Sequence, residues 1–296
     1  MPAKEFICPN GGVKPIEDCL NKGCSMKERC LFLPTLRAIA ASLERNLEGF
    51  TVTELISGTR EVYLKKTRDY PVDPMKHLYA VQGSAAHLLH QGQATGNMLG
   101  EERIYGDNFS GQIDLYGAIL DKETATLGDY KVTSSYKLMK ALGKYKVDVP
   151  TGEVYKSGAR KGQSKTVKEW REGGVRNVLD WAIQLNCYRM LLENEGFPVK
   201  RMVIQAFCRD QGAMTAQTRG IKKPAYFVEI NKISDRWLNR YIKAKSQKLK
   251  QALEQKRLPP PCSAKARWHG KKCLEYCDVA SLCPYGINLT MGAKSA

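Results

Sequence analysis

Apolar and polar residues alternate over residues 101–133, which is the spacing typical of β-strands. The pattern predicts one strand in GQIDLYG at 111–117 and a second ending in DYK at 129–131, with the polar DKET segment as the bend of a hairpin. Asp114 lies in the first strand and Asp129 in the second, at positions where a β-branched residue would pack better. The hairpin therefore contains two aspartates that need an explanation.

The remaining pattern predicts helices interleaved with further strands. Helical spacing of apolar residues predicts helices at 32–48, 75–96, 177–195 and 234–256, and two more strands are expected at 199–208 and 225–231. The third helix is expected to end at Gly196 and Pro198. Ser234 is a good N-cap for the fourth, with Asp235 in its first turn. This mixture of strands and helices predicts the α/β fold class.

Three regions follow from the composition along the chain. Residues 1–31 are rich in Cys, Gly and Pro and predict a small metal-binding knob, and residues 32–258 form the main domain. Prolines 259–261 mark a boundary before a second cysteine cluster at 259–296. Within the main domain, residues 134–176 hold eleven Lys or Arg against four Asp or Glu. We expect them to form an exposed, partly flexible basic insertion.

The charge of the chain indicates a polyanionic partner. Lys and Arg total 47 against 30 Asp and Glu over 296 residues, a formal net charge of +17. Nucleic acid is the first partner to expect for such a charge. The sequence has no run of 18 or more apolar residues, and MPAKEFICPN at its start has no apolar signal-peptide core. We therefore expect no membrane partner and a cytoplasmic or nuclear location.

The two aspartates have a possible chemical role. Alternation along a strand puts Asp129 and Lys131 on the same face. Carboxylates that converge from neighbouring strands can hold Mg²⁺, while an adjacent ammonium orients a water or stabilises developing negative charge. These are the parts needed to hydrolyse a phosphodiester. An Asp-x-Lys triplet taken alone is also compatible with a solvated ion pair at a strand edge.

Two further features occur in the expected order along the chain. His87 lies on the predicted helix before the hairpin, and Gln184 with Tyr188 lies on the predicted helix after it. Gln184 and Tyr188 are four residues apart, hence on one helical face, and could contact a phosphate, sugar or base. A single histidine on an Ala/Leu helix is more often a core residue, and a Gln-Tyr pair is usually a helix surface. The ordered set is more specific than its members.

This ordered set resembles the PD-(D/E)XK nuclease superfamily, in particular its RecB-like branch, which includes the nuclease domains of RecB and AddB and the CRISPR-associated adaptation exonucleases. The matching motifs are Gly83-Ser-Ala-Ala-His87, Gly111-Gln-Ile-Asp114, Asp129-Tyr-Lys131 and Gln184-Leu-Asn-Cys-Tyr188. The resemblance covers about residues 75–230. It implies a restriction-endonuclease-like core, in which a mixed central sheet is flanked by helices. The basic segment 134–176 departs from the compact family core.

Residue by residue, the resemblance implies a divalent metal site. His87, Asp114 and Asp129 would be ligands of Mg²⁺ or Mn²⁺, and Lys131 would position or activate the attacking water. Gln184 and Tyr188 would contact DNA.

Eight of the ten cysteines form two quartets of similar spacing. The first is Cys8, Cys19, Cys24 and Cys30, and the second is Cys262, Cys273, Cys277 and Cys283. Four soft ligands on short loops suit tetrahedral Zn²⁺ or an iron–sulfur cluster, with a structural role. Cys187 and Cys208 lie in apolar segments and are expected to be unliganded.

Two arrangements of these ligands remain open. Some RecB-like nucleases carry a [4Fe-4S] cluster built from one cysteine before the core and three after it, and by that resemblance Cys30 would replace Cys262. Separate local quartets instead explain the paired spacings. We favour an iron–sulfur site at the C-terminal quartet and a zinc site at the N-terminal one.

The combined expectation is a Mg²⁺- or Mn²⁺-dependent deoxyribonuclease. It would be an exonuclease or end-processing enzyme in recombination, repair or replication, in the cytoplasm of a bacterium or of a phage-infected host. A helicase, a recombinase or a single-strand-binding protein is a further candidate partner. The alternatives are a non-catalytic, zinc-containing nucleic-acid-binding protein and an RNA-directed nuclease.

Overall fold

The computed structural model describes residues 3–24, 26–44 and 49–294, which form a mixed α/β fold with mixed sheets flanked by helices. The helices are α1 (Ile16–Asn21), α2 (Leu33–Leu43), α3 (Val52–Ile56), α4 (Thr59–Thr67), α5 (Pro74–Gln91), α6 (Ser135–Ala141), α7 (Leu179–Asn194), α8 (Met214–Thr218), α9 (Asp235–Glu254), α10 (Lys271–Glu275) and α11 (Pro284–Lys294). The strands are β1 (Glu5–Ile7), β2 (Val13–Pro15), β3 (Pro71–Val72), β4 (Leu99–Gly100), β5 (Arg103–Tyr105), β6 (Ser110–Gln112), β7 (Leu115–Gly117), β8 (Thr126–Thr133), β9 (Tyr145–Val154), β10 (Ser164–Arg171), β11 (Arg201–Cys208) and β12 (Ala225–Glu229).

The central sheet has five strands in the order β12-β11-β8-β7-β4. Strands β8 and β11 pair in parallel and the other neighbours are antiparallel, so the sheet is mixed. Helices α5 and α7 both contact β8. Successive side chains of a strand point to opposite faces, and His90 of α5 stacks on Tyr130 with ring centroids 4.3 Å apart. Asp129 and Lys131 therefore lie on the face opposite to α5.

Two apolar clusters form the interior. The larger one surrounds α7, β8 and β11, with Leu127, Leu185 and Ile204 fully buried. The second cluster gathers residues from both ends of the chain, including Phe6 near the start and Val279 near the end. The two cysteine-containing ends thus pack on one shared core, between helices α2, α4 and α9.

The predicted hairpin is confirmed in its pairing but not in its detail. Strands β7 and β8 pair antiparallel, with Leu115 opposite Gly128. The strand expected over 111–117 is interrupted: β6 ends at Gln112 and pairs with β5, and Asp114 occupies a bend before β7. The Asp114 Oδ2 accepts a hydrogen bond of 2.7 Å from the backbone N–H of Tyr130. This bond gives the carboxylate a local partner that a regular strand position would not offer.

The basic insertion 134–176, which the sequence predicts to be exposed and partly flexible, forms regular elements, and its first part is buried, with Leu138 and Ala141 in the larger apolar cluster. Helix α6 covers its first residues, and β9 and β10 form a two-stranded antiparallel hairpin, which we call the arm. The glycines that suggested flexibility are turn residues: Gly158 and Gly162 adopt φ of 77° and 83°. Glycine reaches this left-handed region without steric cost, so these residues close the end of the arm.

The other predicted elements agree closely with the structure. Helix α2 lies within the predicted range 32–48, of which residues 45–48 lie outside the described residues. Helix α5 ends at Gln91, five residues earlier than expected. Ser234 is at the N-cap of α9, but its side chain makes no capping hydrogen bond. Among the described helices, none is both long enough and apolar enough to cross a membrane.

Candidate metal centre

Asp114 and Asp129 are both buried at the sheet, 8% and 2% exposed. The bend between β6 and β7 positions Asp114, and the middle of β8 positions Asp129 opposite Ile204 of β11. Lys131 follows two residues later on the same face, and its Nζ lies 2.6 Å from Oδ2 of Asp129. The sequence prediction that these three residues lie close together agrees with this geometry.

Asp129 is a buried carboxylate whose negative charge has few partners in the protein. Among the described residues, no donor reaches either of its oxygens with hydrogen-bond geometry, and its only partner is the Lys131 ammonium. Burying a carboxylate without hydrogen bonds is costly, because the charge loses its hydration. A cation bound beside Asp129 would offset that cost, and carboxylate oxygens are the ligands that Mg²⁺ prefers. The residues present therefore fit a hard divalent cation.

His87 approaches Asp114 from α5. Its Nδ1 lies 2.8 Å from Oε1 of Glu101 and 3.5 Å from Oδ2 of Asp114. The ligand atoms of these three residues lie within 4.8 Å of one another, the one such group of three among the described residues. Asp129 is outside this group of three, although its charge acts on Asp114.

Glu101 is the residue that the sequence reasoning missed. It follows β4 and has a backbone φ of 54°, a left-handed conformation that is uncommon for a side chain other than glycine. The backbone N–H of Glu101 donates to the carbonyl of Asp114, and Gln112 Nε2 donates to its Oε2 at 2.9 Å. No periodicity or motif singles out this position, because the contacts that orient it come from residues far along the chain.

The protonation equilibria reflect an excess of negative charge. Burial raises the pKa of Asp114 to about 7, and repulsion from Asp129 adds to the rise. A hydrogen bond with Glu101 raises the pKa of His87. Burial acts to lower the pKa of Lys131, but the carboxylates of Asp129 and Asp114 outweigh it, so that pKa is raised. The site therefore favours bound positive charge.

Helix α7 places Gln184 and Tyr188 beside this centre. Gln184 Nε2 donates a 2.8 Å hydrogen bond to the Tyr188 hydroxyl, and burial raises the pKa of Tyr188 to about 12. The Tyr188 ring packs under Gly111, where a Cβ would lie 2.7 Å from the ring carbons. Gly111 is thus required for close packing. A Cβ at Gly83 would meet nothing within 4 Å, so packing does not explain that glycine.

Tyr188 is less accessible than a DNA contact would suggest. The residue is only 4% exposed, and its ring forms part of the core. Its hydroxyl accepts from the half-buried Gln184, and the charges of Asp129, Lys131 and Asp114 act on it. Gln184 and Tyr188 can therefore form one wall of the site.

The N-terminal quartet lines one cavity. All four of its cysteines contribute, together with apolar residues, Lys14 and Arg29. Burial raises the pKa of Cys19, and repulsion from the thiolates of Cys30, Cys24 and Cys8 adds to it. The four sulfurs are therefore close enough to act on one another.

The C-terminal quartet lines a second cavity, and charged residues surround it. Its four cysteines share the wall with Arg60, Glu61, Arg267 and Lys272. Arg60 Nη1 lies 3.6 Å from the Cys283 sulfur, and Lys272 Nζ pairs with Glu61 at 2.6 Å. Burial raises the pKa of Cys277 to about 12.

These placements bear on which cysteines share a metal. Cys30 lines the first cavity and Cys262 the second, which favours two local quartets over a cluster that takes Cys30 in place of Cys262. No three thiols among the described cysteines lie within 4.8 Å of one another. Tetrahedral zinc with bonds of about 2.3 Å would hold sulfurs about 3.8 Å apart. As placed, neither quartet therefore has the geometry of a closed zinc site, and the spacing does not identify the metal that either would hold.

Cys187 and Cys208 do not line either cavity. Both are buried, and burial raises the pKa of Cys187 to about 12. The Cys208 thiol donates to Asp210 Oδ1 at 3.4 Å. They are core residues of α7 and β11.

A scan against models of known protein families and a search of curated proteins both found no match. The resemblance to RecB-like nucleases therefore depends on the residues and their geometry.

Proposed function

We propose that this chain is a metal-dependent deoxyribonuclease of the RecB-like branch of the PD-(D/E)XK superfamily. The observation that carries the proposal is the pair of buried carboxylates, Asp114 and Asp129, with Lys131 2.6 Å from the second. Such an arrangement is costly to a fold unless a cation compensates it. An ordinary surface ion pair would not bury both aspartates.

The roles follow from where each side chain lies. His87, Glu101, Asp114 and Asp129 would hold Mg²⁺ or Mn²⁺, which when bound supplies Lewis acidity and lowers the pKa of a bound water. The Lys131 ammonium would orient the attacking water or stabilise negative charge developing on the phosphate. Because the pKa of Lys131 is raised, its side chain is protonated at neutral pH and suits electrostatic stabilisation.

The excess of positive charge supports a nucleic acid as the substrate. The chain carries a net charge of +17, and phosphate neutralisation makes such binding strongly dependent on salt. Action as an exonuclease or end-processing enzyme in bacterial or phage recombination, repair or replication is what the resemblance implies. A helicase, recombinase or single-strand-binding protein would be a partner in that setting.

The test is cleavage of labelled linear DNA by purified protein with Mg²⁺ or Mn²⁺. Asp114→Ala and Lys131→Ala should each reduce the rate by at least about 100-fold, the scale at which one electrostatic contact acts in catalysis. DNA binding should be retained. Lys122→Ala, in the exposed turn of the same hairpin, is the matched control and should cleave normally.

Two outcomes would favour the other functions. Unchanged substrate length at every metal concentration would indicate a non-catalytic, zinc-containing binding protein. Cleavage of RNA in preference to DNA of the same sequence would indicate an RNA-directed nuclease. Retained cleavage in both the Asp114 and Lys131 variants would exclude this centre as the catalytic one.

A further inference from the structure

The arm carries its positive charge unevenly. Its two strands with the flanking residues 144 and 172 contain five cations and four carboxylates, whereas the connecting residues 155–163 contain three cations and no carboxylate. The three cations are Lys156, Arg160 and Lys161, all exposed. Residues 155–163, which we call the tip, therefore hold three of the four net positive charges of the arm.

Ion pairs neutralise the strands of the arm. Each of the four carboxylates pairs with a cation of the arm, as Lys144–Glu172 at 2.6 Å, Lys165–Glu153 at 2.9 Å, Lys168–Asp148 at 3.9 Å and Arg171–Glu169 at 3.1 Å. Within the described part of the chain, none of the three tip cations has a carboxylate within 4 Å. The strands therefore act as a nearly neutral support for a cationic end.

The tip is closed by its own backbone. The N–H of Tyr155 donates to the carbonyl of Gln163, and the N–H of Gly162 donates back to the carbonyl of Tyr155, both at 3.0 Å. Further turn hydrogen bonds link Lys161 to Gly158 and Gln163 to Arg160. Because the loop is already closed, binding a ligand there would cost less ordering entropy than binding to a flexible segment.

The base of the arm is fixed to the main domain. Trp170 Nε1 donates to the carbonyl of Thr218 at 3.1 Å, and its ring packs where a Cβ on Gly220 would lie only 2.9 Å away. The Arg176 Nε donates to the carbonyl of Ala141, and the N–H of Gly174 donates to the carbonyl of Gly143. At about 3.3 Å per residue, a strand as long as β9 carries the tip about 30 Å from this base.

We infer that the tip is a separate phosphate-binding contact for nucleic acid, held at a distance from the metal centre by the neutral strands of the arm. This inference rests on the proposed function, because it takes nucleic acid as the substrate. Lys and Arg side chains free of carboxylates are what neutralises phosphates in sequence-independent binding. The tip would therefore contribute affinity and salt dependence, but not chemistry.

The experiment measures DNA affinity without metal, so that cleavage plays no part. Binding of a labelled duplex and a labelled single strand is followed by anisotropy in EDTA over a series of NaCl concentrations. The tip triple variant K156A/R160A/K161A should bind at least about tenfold more weakly. Its plot of log affinity against log salt should be shallower by about 2 to 3 units on the duplex, about one unit for each phosphate that the variant no longer neutralises.

The matched control removes the same charge from the strands. The variant K165A/K168A/R171A loses three cations that are already paired, so its salt slope should change by less than about one unit. Equal losses in both triple variants would overturn the inference, because net charge alone would then explain binding. An unchanged tip variant, or one that loses only the ability to bind poly-glutamate, would also overturn it, the latter in favour of an acidic protein partner. A wild-type protein that binds neither DNA nor RNA would instead refute the proposed function.

Discussion

The oxygen-rich centre on the sheet and the cysteine cavities at the chain ends are two different kinds of candidate metal site. The first gathers His87, Glu101 and two buried aspartates on elements of the main domain, with one ammonium to offset them. The cysteine cavities instead bring together thiols, and burial raises the pKa of several of them. Without metal, the first site carries buried carboxylates, whereas the raised pKa values of Cys19, Cys273 and Cys277 favour the neutral thiol.

This difference predicts how each site affects the stability of the metal-free folded state. Buried thiols that stay protonated cost the metal-free fold little, so their metal would stabilise it. Asp114 and Asp129 instead repel each other in the metal-free folded state, which lowers its stability. Such a cost is accepted at sites of chemistry. We therefore expect variants of the cysteine cavities to lose stability, and the loss of the Asp114 carboxylate at the sheet centre to reduce activity and increase stability.

The largest effect is expected at Cys277. Cys277→Ser removes one thiol from the C-terminal cavity, which shares the second apolar cluster with both chain ends. Because metal binding at such a site contributes directly to folding, we expect a loss of about 3–5 kcal/mol in the free energy of unfolding. Denaturant melts, metal counts for iron and zinc, and the visible absorbance of anaerobically purified protein check this. A visible band would indicate an iron–sulfur cluster, and zinc alone would not produce one.

The control for Cys277 is Cys208→Ala. Cys208 is buried, and only Asp210 accepts from its thiol, so about 1–2 kcal/mol should be lost and the metal content should not change. If Cys277→Ser retained both its metal and its stability, the distinction between the two kinds of site would fail.

A smaller effect is expected at Glu101. Glu101→Gln keeps the length of the side chain but removes its charge, and it replaces one of the two oxygens that face His87 and Gln112 with an NH₂ group, which donates and cannot accept. Groups that orient a metal-binding histidine are typically worth 10–100-fold in metal affinity or activity. Cleavage rate against Mn²⁺ concentration measures it, with the exposed neighbour Glu102→Gln as control. An unchanged metal dependence would remove Glu101 from the centre.

The sequence predicts the fold well where one element is decided by its own pattern. Helices α7 and α9 and the β7–β8 pairing follow from local periodicity. The arm was expected to be partly flexible because its glycines and charges look like a loop, although they are turn residues and cross-strand ion pairs. The charge pattern of one segment does not show which other segment will pair with it as a strand.

The candidate site is predicted from the sequence only where motifs exist. Asp114, Asp129 and Lys131 lie close together as expected, and His87 is within 3.5 Å of Asp114. Glu101 could not be predicted, because its left-handed backbone and its bonds to His87 and Gln112 depend on tertiary contacts. The bend at Asp114 has the same origin, since its partner is the backbone of β8.

Asp278, next to Cys277, links the C-terminal cavity to helices α4 and α5. Its carboxylate pairs with Lys65 at 2.8 Å and with His77 at 3.3 Å. Burial acts to raise the pKa of Asp278, but His77 and Lys65 outweigh this effect and hold the pKa well below its ordinary value. Its contribution is therefore present above about pH 4 and lost as pH falls further. Asp278→Asn should cost about 1–2 kcal/mol at pH 7 and abolish that part of the acid sensitivity. Urea melts from pH 7 to pH 3 measure this.

Asp69→Asn is the matched control for Asp278. Asp69 pairs with Lys4 at 3.2 Å, but both side chains are about half exposed, so the change should stay within about 0.5 kcal/mol. An equal loss in both variants would show that the attachment of the cavity depends on nothing more than surface charge.

The smallest effect, opposite in sign, is expected at Asp114. Its folded pKa of about 7 lies above the ordinary value of 3.8, so between these values the folded state binds the extra proton and stability falls as pH rises. Asp114→Asn should therefore stabilise the metal-free protein by about 1 kcal/mol or more above pH 7, with a gain that vanishes below about pH 4. Asp121→Asn is the control, because backbone hydrogen bonds from Glu123 and Thr124 lower the pKa of that exposed carboxyl. Thermal melts in EDTA at pH 8 and pH 4 measure this difference. A destabilised Asp114 variant at pH 8 would mean that the protein already compensates the buried charge. The sheet centre would then not differ from the cysteine cavities in its effect on stability.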